Sequence, residues 1–325
     1  MKSCKGHSEV LITGATGFVG KNLLPYLSAS NLDYKLHVLG RHDYKKFVKS
    51  GLNKFTDSYQ VIDHLSGDKK SRHYVHLAGK AHDIKNSSFE EEYFEANYRL
   101  TKRLFDHFLE NNTAETFTFI SSIKAVSDRP NRIVDEFLET NPVTAYGRSK
   151  RKAEEYILKN SPLGKRVYIL RPCMIHGPGN RGNLNLLYAM ISKGIPWPLG
   201  AFNNSRSFLS INNFCFIIDR ILAGRLKPGI YHLADSKPLS TRRLIELIGE
   251  SVGKKPRIWN LPITAIYFCA KLGNVLNLPL NEERLQKLTE NYVVSNQKLT
   301  RALGCDLPVE AEDGMRSTLA SFSQS

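Results

Sequence analysis

The chain has 325 residues, of which 41% are hydrophobic and 24% are charged, and its formal net charge at pH 7 is +15. This composition is ordinary for a soluble globular protein with a large core. Its five cysteines are scattered with no C-x-x-C pair, which argues against a disulfide framework or a zinc site and predicts reduced thiols in a cytoplasm. We expect no secretory signal before Val10. We also expect no integral membrane segment, because the most apolar late run, 261–272, is too short to span a bilayer.

The positive charge is spread over short basic clusters at residues 45–49, 69–72, 148–152 and 254–257. Most of these clusters have the pattern of solvated faces, since aromatic residues are not interleaved with them. A positive field would also attract an anionic nucleotide substrate and a phosphate-rich cofactor. Nucleic acid is not an expected partner, because no recognisable binding module accompanies the charge.

The first predicted element is a strand at 10–13 that runs into Gly14, Gly17 and Gly20, before a helix-compatible segment. A purely structural turn is one reading, but this order is typical of dinucleotide binding. Gly14 would permit the turn, Gly17 would let the backbone approach a pyrophosphate, and Gly20 would let the helix pack closely on the strand. The helix N-terminus would offer N–H groups to the phosphates. The predicted cofactor-binding loop comprises Gly14, Thr16, Gly17, Phe18, Val19 and Gly20.

A second strand is predicted at 34–41. The residue that ends this strand in a dinucleotide fold meets the adenosine ribose, where an acidic side chain would bind the 2′-hydroxyl of NAD. This chain has Gly40, Arg41 and His42 there instead. Arg41 is therefore a candidate for the 2′-phosphate of NADP, although an arginine merely exposed at a strand end fits equally well. This position favours NADP(H) as cofactor and leaves NAD(H) possible.

Strands and helices then alternate along the chain. Further strands are predicted at 59–63, 73–79, 116–122, 165–171 and 229–234, and helices at 90–111, 144–160 and 213–223. This alternation predicts an α/β fold with a Rossmann-like, doubly wound parallel sheet and a smaller C-terminal substrate-binding lobe. We expect the dinucleotide-binding domain at 1–175 plus about 208–235, and the substrate domain at 176–207 and 236–325.

Tyr146 and Lys150 carry the chemical signal, because residues four apart on a helix share one face. A tyrosine hydroxyl has a pKa of about 10, too high for easy proton exchange at neutral pH. A neighbouring ammonium favours the phenolate and would lower that pKa, which makes the tyrosine a usable general acid and base. Ser122, at the end of the strand at 116–122, can hydrogen-bond the same substrate oxygen. A Y-x-x-x-K pair alone is a common surface pattern, but it becomes a strong signal in this order with the glycine turn and Ser122.

The sequence resembles the extended short-chain dehydrogenases/reductases of the nucleotide-sugar epimerase/dehydratase group. The matching stretches cover essentially the whole chain and are Gly14 to Gly20, His76 to Ala78, Asn97 with Thr101, Ser121 to Lys124, Tyr146 to Lys150, Arg171-Pro172 with Gly177 to Gly179, Asn183, Arg206 to Phe208, and Leu303-Gly304. The resemblance implies that Ser122, Tyr146 and Lys150 form the catalytic triad, with Lys150 also holding the nicotinamide ribose.

The resemblance also implies the remaining contacts of the site. Cofactor contacts are expected from the glycine turn, Arg41, Leu77, Ala78, Gly79, Asn97, Tyr146, Lys150 and Arg171. Contacts with a UDP-sugar substrate are expected from Lys80, His82, Ser122, Lys124, Asn183, Pro198, Leu199 and Arg206. No metal is expected, and family members commonly form homodimers through two long helices, here those at 90–111 and 144–160.

Two departures from the family pattern concern the substrate side. Ser127 stands where the family usually has glycine, and His176 stands where it often has tyrosine. The stretches at 121–124, 196–200 and 206–208 resemble a narrower branch that serves bacterial surface-polysaccharide synthesis. That branch includes 4-reductases of UDP-linked 4-keto-6-deoxy amino sugars and UDP-sugar 4-epimerases.

Three functions follow as alternatives. The first is 4-keto reduction of a UDP-2-acetamido-2,6-dideoxy-hexulose by NADPH, favoured by Arg41. The second is a UDP-sugar 4-epimerase, of the UDP-glucose or UDP-N-acetylglucosamine type, with tightly held NAD. The third is a non-catalytic NADP-binding protein on the same fold, which the intact triad disfavours. A 4,6-dehydratase is also disfavoured, because no Asp-Glu pair accompanies Ser122.

Overall fold

The computed structural model describes residues 8–30, 32–39, 59–62, 65, 70–80, 89–180, 182–276 and 281–323. Its strands are β1 (Ser8–Thr13), β2 (Tyr34–Leu39), β3 (Tyr59–Ile62), β4 (His73–His76), β5 (Thr116–Ile120), β6 (Arg166–Pro172), β7 (Met174–His176), β8 (Phe208–Ser210) and β9 (Gly229–Leu233). Seven strands form one parallel sheet in the order β3-β2-β1-β4-β5-β6-β9. The predicted doubly wound parallel sheet is confirmed. The pairing of β7 with β8 was not predicted.

The second predicted helix is more complex than its apolar pattern indicates. We call it α2; it runs as α-helix over Glu90–Tyr93, as a π-helical turn over Phe94–Arg99, and again as α-helix over Leu100–Glu110. The other helices are α1 (Phe18–Ser28), α3 (Ala145–Asn160), α4 (Asn183–Ser192), α5 (Ile211–Leu222), α6 (Thr241–Ser251), α7 (Ile263–Leu276), α8 (Glu282–Thr289), α9 (Gln297–Leu303) and α10 (Ala311–Phe322). Within the described residues, none of these helices has the length and apolar character needed to cross a membrane.

Both faces of the sheet are buried, as the apolar strands require. In β1, Val10 and Ile12 pack with side chains of α1 and α5, whereas Leu11 packs on the opposite face with side chains of α2 and α3. All five residues of β5 are buried. Burial on two faces explains why these strands read as continuous apolar runs, since alternation is expected only where one face meets water.

The strand order reverses between β1 and β4. The chain leaves β1 toward β2 and β3 on one side, then returns to place β4 on the other side, where Thr13 and His76 are register partners. A crevice opens at the carboxyl ends of strands at such a reversal, and it is where open α/β sheets bind ligands. The glycine turn after β1 and the loop after β4 both lie at this crevice.

A second cluster of buried side chains lies apart from the two faces of the sheet. It includes Trp197 and Leu199, Leu244, Ile245, Leu247 and Ile248 from α6, Ile266 and Ala270 from α7, and Met315 and Leu319 from α10. Trp197 and Leu199 also bridge to Ile258 and Asn260, in a region predicted only as loop. The exact division of the chain into two lobes stays a prediction.

Candidate active site

The turn that follows β1 needs its glycines for steric reasons. Gly14 has a φ angle of 71°, and a Cβ there would lie 2.6 Å from the backbone nitrogen of Ala78. A Cβ on Gly20 would lie 2.4 Å from the Cα of Ala15, so α1 packs against the turn itself. Gly17 is the N-cap of α1, and neither a side-chain cap nor an acidic first turn neutralises this helix end. The turn thus presents bare backbone and an electropositive N-terminus, which fit the phosphates of a dinucleotide.

We expect Gly14→Ala to destabilise the fold more than a substitution that strains the backbone alone. Gly194 has a similar φ of 73° but no atom within 4 Å of an added Cβ, so Gly194→Ala is the matched control. Left-handed strain costs about 1–2 kcal/mol at either position, and the clash with Ala78 adds about 1–3 kcal/mol at Gly14. Urea unfolding of both variants measures the difference, and equal losses would contradict the close approach.

Ser122 and Tyr146 are brought together from different elements. Ser122 lies two residues beyond β5 and caps a single 3₁₀ turn at Ile123–Ala125. Its Oγ accepts a hydrogen bond from the backbone nitrogen of Lys124 at 3.2 Å. Tyr146 lies in the first turn of α3, whose start is fixed by Thr144, since its Oγ1 accepts from the Gly147 nitrogen at 3.1 Å. The side chains of Ser122 and Tyr146 are hydrogen-bonded to each other.

Lys150 lies one helical turn after Tyr146 and reaches the same edge of the sheet. Its Nζ donates a hydrogen bond to the carbonyl oxygen of Ile120 at 2.8 Å and lies 4.9 Å from the centre of the Phe119 ring. The same Nζ is 3.2 Å from where a Cβ on Gly79 would be. The three side chains predicted to be catalytic therefore converge where β4 and β5 end, next to the glycine turn.

Burial disfavours the charged form of both groups, and it therefore shifts their two pKa values in opposite directions. Desolvation raises the pKa of Tyr146, and the hydrogen bond from Ser122 opposes that rise. Desolvation also lowers the pKa of Lys150 to about 8, against the attraction of Glu154. We predicted that Lys150 lowers the pKa of Tyr146; in the structure that pKa is raised, and the side chain that opposes the rise is Ser122.

A buried chain of hydrogen bonds fixes the loop after β4. Thr101 Oγ1 donates to the Asn97 carbonyl at 2.6 Å, so it accepts at 2.9 Å from His76 Nε2, which must carry the proton. His76 Nδ1 then accepts at 2.7 Å from Thr13 Oγ1, which in turn accepts from the Ala78 backbone nitrogen at 3.1 Å. Burial lowers the pKa of His76 to about 3, so the ring stays neutral and the chain keeps this direction. Through Thr13, His76 thus fixes the backbone at Ala78, which lies at the crevice.

Comparison with known proteins agrees with this geometry. Residues 10–234, well over half of the chain, match the model of the NAD dependent epimerase/dehydratase family. The chain belongs to this family. It is therefore an enzyme whose chemistry depends on a nicotinamide dinucleotide, and the crevice residues described above fit that cofactor.

Individual relatives share the whole length of the chain. A UDP-glucose 4-epimerase of Vibrio cholerae is 29% identical over 97% of this chain and 96% of its own. The Bordetella bronchiseptica enzyme WbmG, solved with NAD and UDP, has a TM-score of 0.73 at 18% identity, covering 98% and 96% of the two chains. RMD from Pseudomonas aeruginosa, complexed with NADPH, has a TM-score of 0.72 at 21% identity, covering 97% and 99%. At these identities the two structures establish the fold.

The π-helical turn of α2 places Asn97 against the loop after β4. Asn97 is fully buried; its Oδ1 accepts from the Lys80 nitrogen at 2.9 Å, and its Nδ2 donates to the Lys80 carbonyl at 3.1 Å. Nδ2 also donates to Ser149 Oγ at 3.0 Å. One amide therefore ties Gly79 and Lys80 to α3, the helix that carries Tyr146 and Lys150. Asn97 is a positioning residue here, and its predicted contact with the cofactor stays a prediction.

Arg171 has different partners from those expected of a cofactor ligand. It is almost fully buried, and its guanidinium makes a two-pronged ion pair with Glu154, at 2.9 and 2.6 Å. Ser121 Oγ donates to the same carboxylate at 2.5 Å, and His232 Nε2 lies 3.3 Å from Arg171 Nη1. Arg171 therefore joins β6 to α3, and its predicted contact with the cofactor stays a prediction.

The predicted substrate residues are spread over both sides of the crevice. Lys80 is ion-paired with Glu92, and Lys124 Nζ donates to the Asp128 carbonyl at 2.8 Å while lying 4.2 Å from the centre of the Tyr292 ring. Pro198 is partly buried and Asn183 is exposed at the start of α4. The side chain of Leu199 is buried in the second cluster, and its carbonyl oxygen accepts from the Phe202 nitrogen at 3.2 Å. Arg206 lies 3.5 Å from Glu290, and Arg41 and His82 lie outside the described residues.

The two departures from the family pattern lie in unlike surroundings. His176 is the last residue of β7 and is fully buried against α10, with Nδ1 2.8 Å from Thr318 Oγ1 and Nε2 3.6 Å from Asp235 Oδ2. It therefore acts on packing inside the chain, and the expectation that it lies at the substrate is not supported. Ser127 accepts a hydrogen bond from the Tyr292 hydroxyl at 2.5 Å and remains near Lys124.

Two carboxylates that support the site were missed from the sequence. Asp128 accepts from the backbone nitrogens of Val143 and Thr144 at 2.7 and 2.9 Å, and from Thr144 Oγ1 at 2.9 Å, which fixes the approach to α3. Glu154 holds Arg171, as described above. The spacing of Tyr146, Lys150 and Glu154, each four residues apart, is a signal that could have found Glu154, because all three share one helix face.

The buried Lys150 gives a pH-dependent stability. Folding lowers its pKa from 10.5 to about 8. Below pH 8, Lys150 is protonated in both states and the folded protein bears the full cost of burying the charge. Between the two pKa values only the unfolded chain keeps the proton, so the free energy of unfolding rises with pH.

We expect Lys150→Met to raise the free energy of unfolding at pH 7 by up to ~3 kcal/mol, an advantage that fades by pH 10. Exposed Lys152 on the same helix supplies the control, Lys152→Met. An advantage that does not change with pH would contradict a buried, charged Lys150.

Proposed function

We propose that this enzyme transfers hydride at C4 of a UDP-linked sugar, with Tyr146 as the proton donor and acceptor. The observation that carries the proposal is the convergence of Ser122, Tyr146 and Lys150 beside the glycine turn. The side chain of Tyr146 is hydrogen-bonded to that of Ser122, and Lys150 Nζ donates a hydrogen bond to the carbonyl oxygen of Ile120 at 2.8 Å. This arrangement suits a carbonyl or hydroxyl group placed between the phenol and the serine.

The residues divide the proton chemistry as follows. The bound nicotinamide supplies or accepts the hydride, and every other task falls to side chains. In the direction of reduction, the Tyr146 hydroxyl gives its proton to the oxygen on C4 as that carbon becomes a secondary alcohol. Ser122 donates a hydrogen bond to the same oxygen and stabilises the developing negative charge. Lys150 lies one turn away on the same helix and would hold the nicotinamide ribose beside Tyr146.

We favour 4-keto reduction of a UDP-2-acetamido-2,6-dideoxy-hexulose, with NADPH as the hydride donor, in surface-polysaccharide synthesis. The support is Arg41, since the sequence lacks the acidic residue that would end the second strand of an NAD enzyme. A reductase must exchange its cofactor in every turnover, which suits an open site and the reduced pool of a cytoplasm. Arg206 and Asn183 would hold the diphosphate, and Pro198 with the Leu199 backbone would line the uracil.

A second candidate is 4-epimerisation of a UDP-sugar, supported by the full-length similarity to the Vibrio cholerae UDP-glucose 4-epimerase. The same triad would first oxidise C4 and then return the hydride to the other face. This reaction needs a cofactor that stays bound through both steps, so it predicts NAD that copurifies with the protein.

Mass spectrometry of the nucleotides released from purified protein separates the two candidates. Reduction predicts little bound nucleotide, and oxidation of added NADPH when the 4-keto sugar is supplied. Epimerisation predicts NAD at about one per chain and conversion of UDP-hexoses without added cofactor. Absence of both activities, in protein that binds NAD or NADP, would contradict the proposed function.

We also propose a homodimer that forms through α2 and α3. These helices pack side by side on one face of the sheet, and their outer surfaces carry ion pairs such as Arg99 with Glu95 at 2.9 Å and Arg151 with Glu155 at 3.1 Å. Analytical ultracentrifugation tests the assembly, and Leu158, an exposed apolar residue of α3, is the position for a disruptive Leu158→Glu variant.

A further inference from the structure

The segment from Trp259 to Leu272 exposes more apolar surface than a folded chain normally leaves in water. Trp259, Leu261, Ile263, Tyr267, Phe268 and Leu272 are 51%, 39%, 43%, 47%, 64% and 43% exposed, and we call these six residues the apolar patch. Scattered apolar residues are normal on a surface, but a contiguous group marks a place of interaction.

The geometry of α7 explains this exposure. Over residues 263–274, where burial along this helix is described, the buried residues are Ile266, Ala270 and Gly273, which form one narrow stripe. Phe268 and Leu272, four residues apart, stand on the side away from that stripe. An ordinary surface helix would carry charged residues there. Thus α7 is apolar on the face that packs inward and also on the face that points outward.

The charge carried by the segment of the patch is positive, and the first carboxylate after it in the sequence, Glu282, is hydrogen-bonded to Asn274 near the end of α7. The sequence has Lys254, Lys255, Arg257 and Lys271, and it has no Asp or Glu between Glu250 and Glu282. All four cations are exposed, and within the described part of the chain none of them forms an ion pair. Exposed aromatic and aliphatic side chains in a segment whose own charges are all positive match the acyl chains and headgroups of an anionic bilayer.

The patch is held in place before any partner arrives. The Trp259 nitrogen donates to the Trp197 carbonyl at 2.8 Å, and the Gly200 nitrogen donates to the Trp259 carbonyl at 3.0 Å. Tyr267 packs edge-on against Phe202, with ring centres 6.2 Å apart. The 14 residues of α7 extend only about 21 Å, less than the ~30 Å hydrocarbon core, so the helix can lie on a bilayer but cannot span one.

We infer that the apolar patch and its four cations dock this enzyme on an anionic lipid surface, with α7 lying in the plane of the headgroups. A second copy of the chain is a poorer occupant, because it would bring the same four positive charges into the contact. Docking would hold the substrate lobe at the membrane while the crevice of the parallel sheet stays in water. This role is separate from the proposed reaction and does not depend on it.

Tryptophan fluorescence of the full chain tests the docking directly. The chain has two tryptophans, of which Trp197 is buried and Trp259 is in the patch. We expect a blue shift of emission, and cosedimentation, with vesicles that mix phosphatidylglycerol into phosphatidylcholine, and neither with phosphatidylcholine alone. Both signals should weaken from 0.1 M to 1 M salt, as the Debye length falls from about 10 Å to about 3 Å.

Matched variants separate the patch from general stickiness. We expect Leu272→Glu to reduce vesicle binding about tenfold or more, and each of Lys255→Gln and Lys271→Gln to reduce it about fivefold. Leu163→Glu, at a fully exposed leucine outside the patch, should leave binding unchanged. Circular dichroism confirms that each variant is folded. Equal binding by the two leucine variants, or a wild-type protein that ignores the vesicles while Leu272→Glu turns a dimer into a monomer, would overturn the inference.

Discussion

Replacing Tyr146 with phenylalanine should reduce turnover about 10²–10⁴-fold, since that is what a positioned proton donor contributes. The variant loses only the hydroxyl that is hydrogen-bonded to Ser122, and the ring keeps its packing against Tyr93, with ring centres 6.1 Å apart. Cofactor binding should therefore be almost unchanged. Steady-state kinetics on the sugar identified by the nucleotide analysis, with titration of NAD and NADP by fluorescence, measures both quantities.

Tyr156 provides a matched control for this experiment. It lies ten residues later on the same helix, and its hydroxyl donates to Asp106 on α2. Tyr156→Phe makes the same chemical change away from the triad, so turnover should stay within a few-fold of the wild type. If the two variants lose activity equally, or if Tyr146→Phe keeps full activity, Tyr146 is not the proton donor.

The second large effect concerns stability and comes from Glu154. Its side chain is fully buried, and it holds the guanidinium of Arg171 and the hydroxyl of Ser121. We expect Glu154→Gln to lower the free energy of unfolding by about 3 kcal/mol or more, because Arg171 then keeps an uncompensated buried charge. The pKa of Lys150 should fall as well, since the Glu154 carboxylate raises it.

Glu155→Gln is the control for this prediction. Glu155 is the next residue of α3, is 51% exposed in its side chain, and pairs with Arg151 at the surface. Such pairs contribute about 0–1 kcal/mol, so the free energy of unfolding should hardly change. Urea denaturation of both variants gives the comparison. A loss at Glu154 no larger than the loss at Glu155 would show that the buried pair is not needed for the fold.

The parts of the site that depend on local spacing could be predicted from the sequence. Gly14, Gly17 and Gly20 all lie between the end of β1 and the first turn of α1. Tyr146 and Lys150 lie one turn apart on one helix. Local spacing along the chain therefore determines how the residues of each group are arranged. The meeting of Ser122 with Tyr146 depends on the parallel sheet, which the alternation of strands and helices indicated correctly, although the strand order was not predicted. The prediction that Gly20 lets α1 pack closely on the strand is only partly right, because the close neighbour of Gly20 is Ala15 in the turn.

Features that depend on burial or on one inserted residue could not be predicted. The π-helical turn at Phe94–Arg99 leaves the apolar spacing on either side of it intact, so the helix read as regular. The pair of Glu154 and Arg171 joins residues whose charges suggest an exposed surface. The direction of the Tyr146 pKa follows from desolvation, which no spacing reveals. The exposure of Phe268 and Leu272 was hidden for the same reason, because an apolar helix is expected to be buried.

The central claim is that hydride moves between a nicotinamide and C4 of a sugar beside Tyr146. Deuterium placed at C4 of the nicotinamide ring of reduced NAD or NADP, incubated with the enzyme and UDP-linked 4-keto sugars, tests it most directly by mass spectrometry. The account predicts deuterium at C4 of the product sugar with the wild-type enzyme and almost none with Tyr146→Phe. Deuterium that stays on the nicotinamide in cofactor-bound enzyme, or that appears at another sugar carbon, would contradict it.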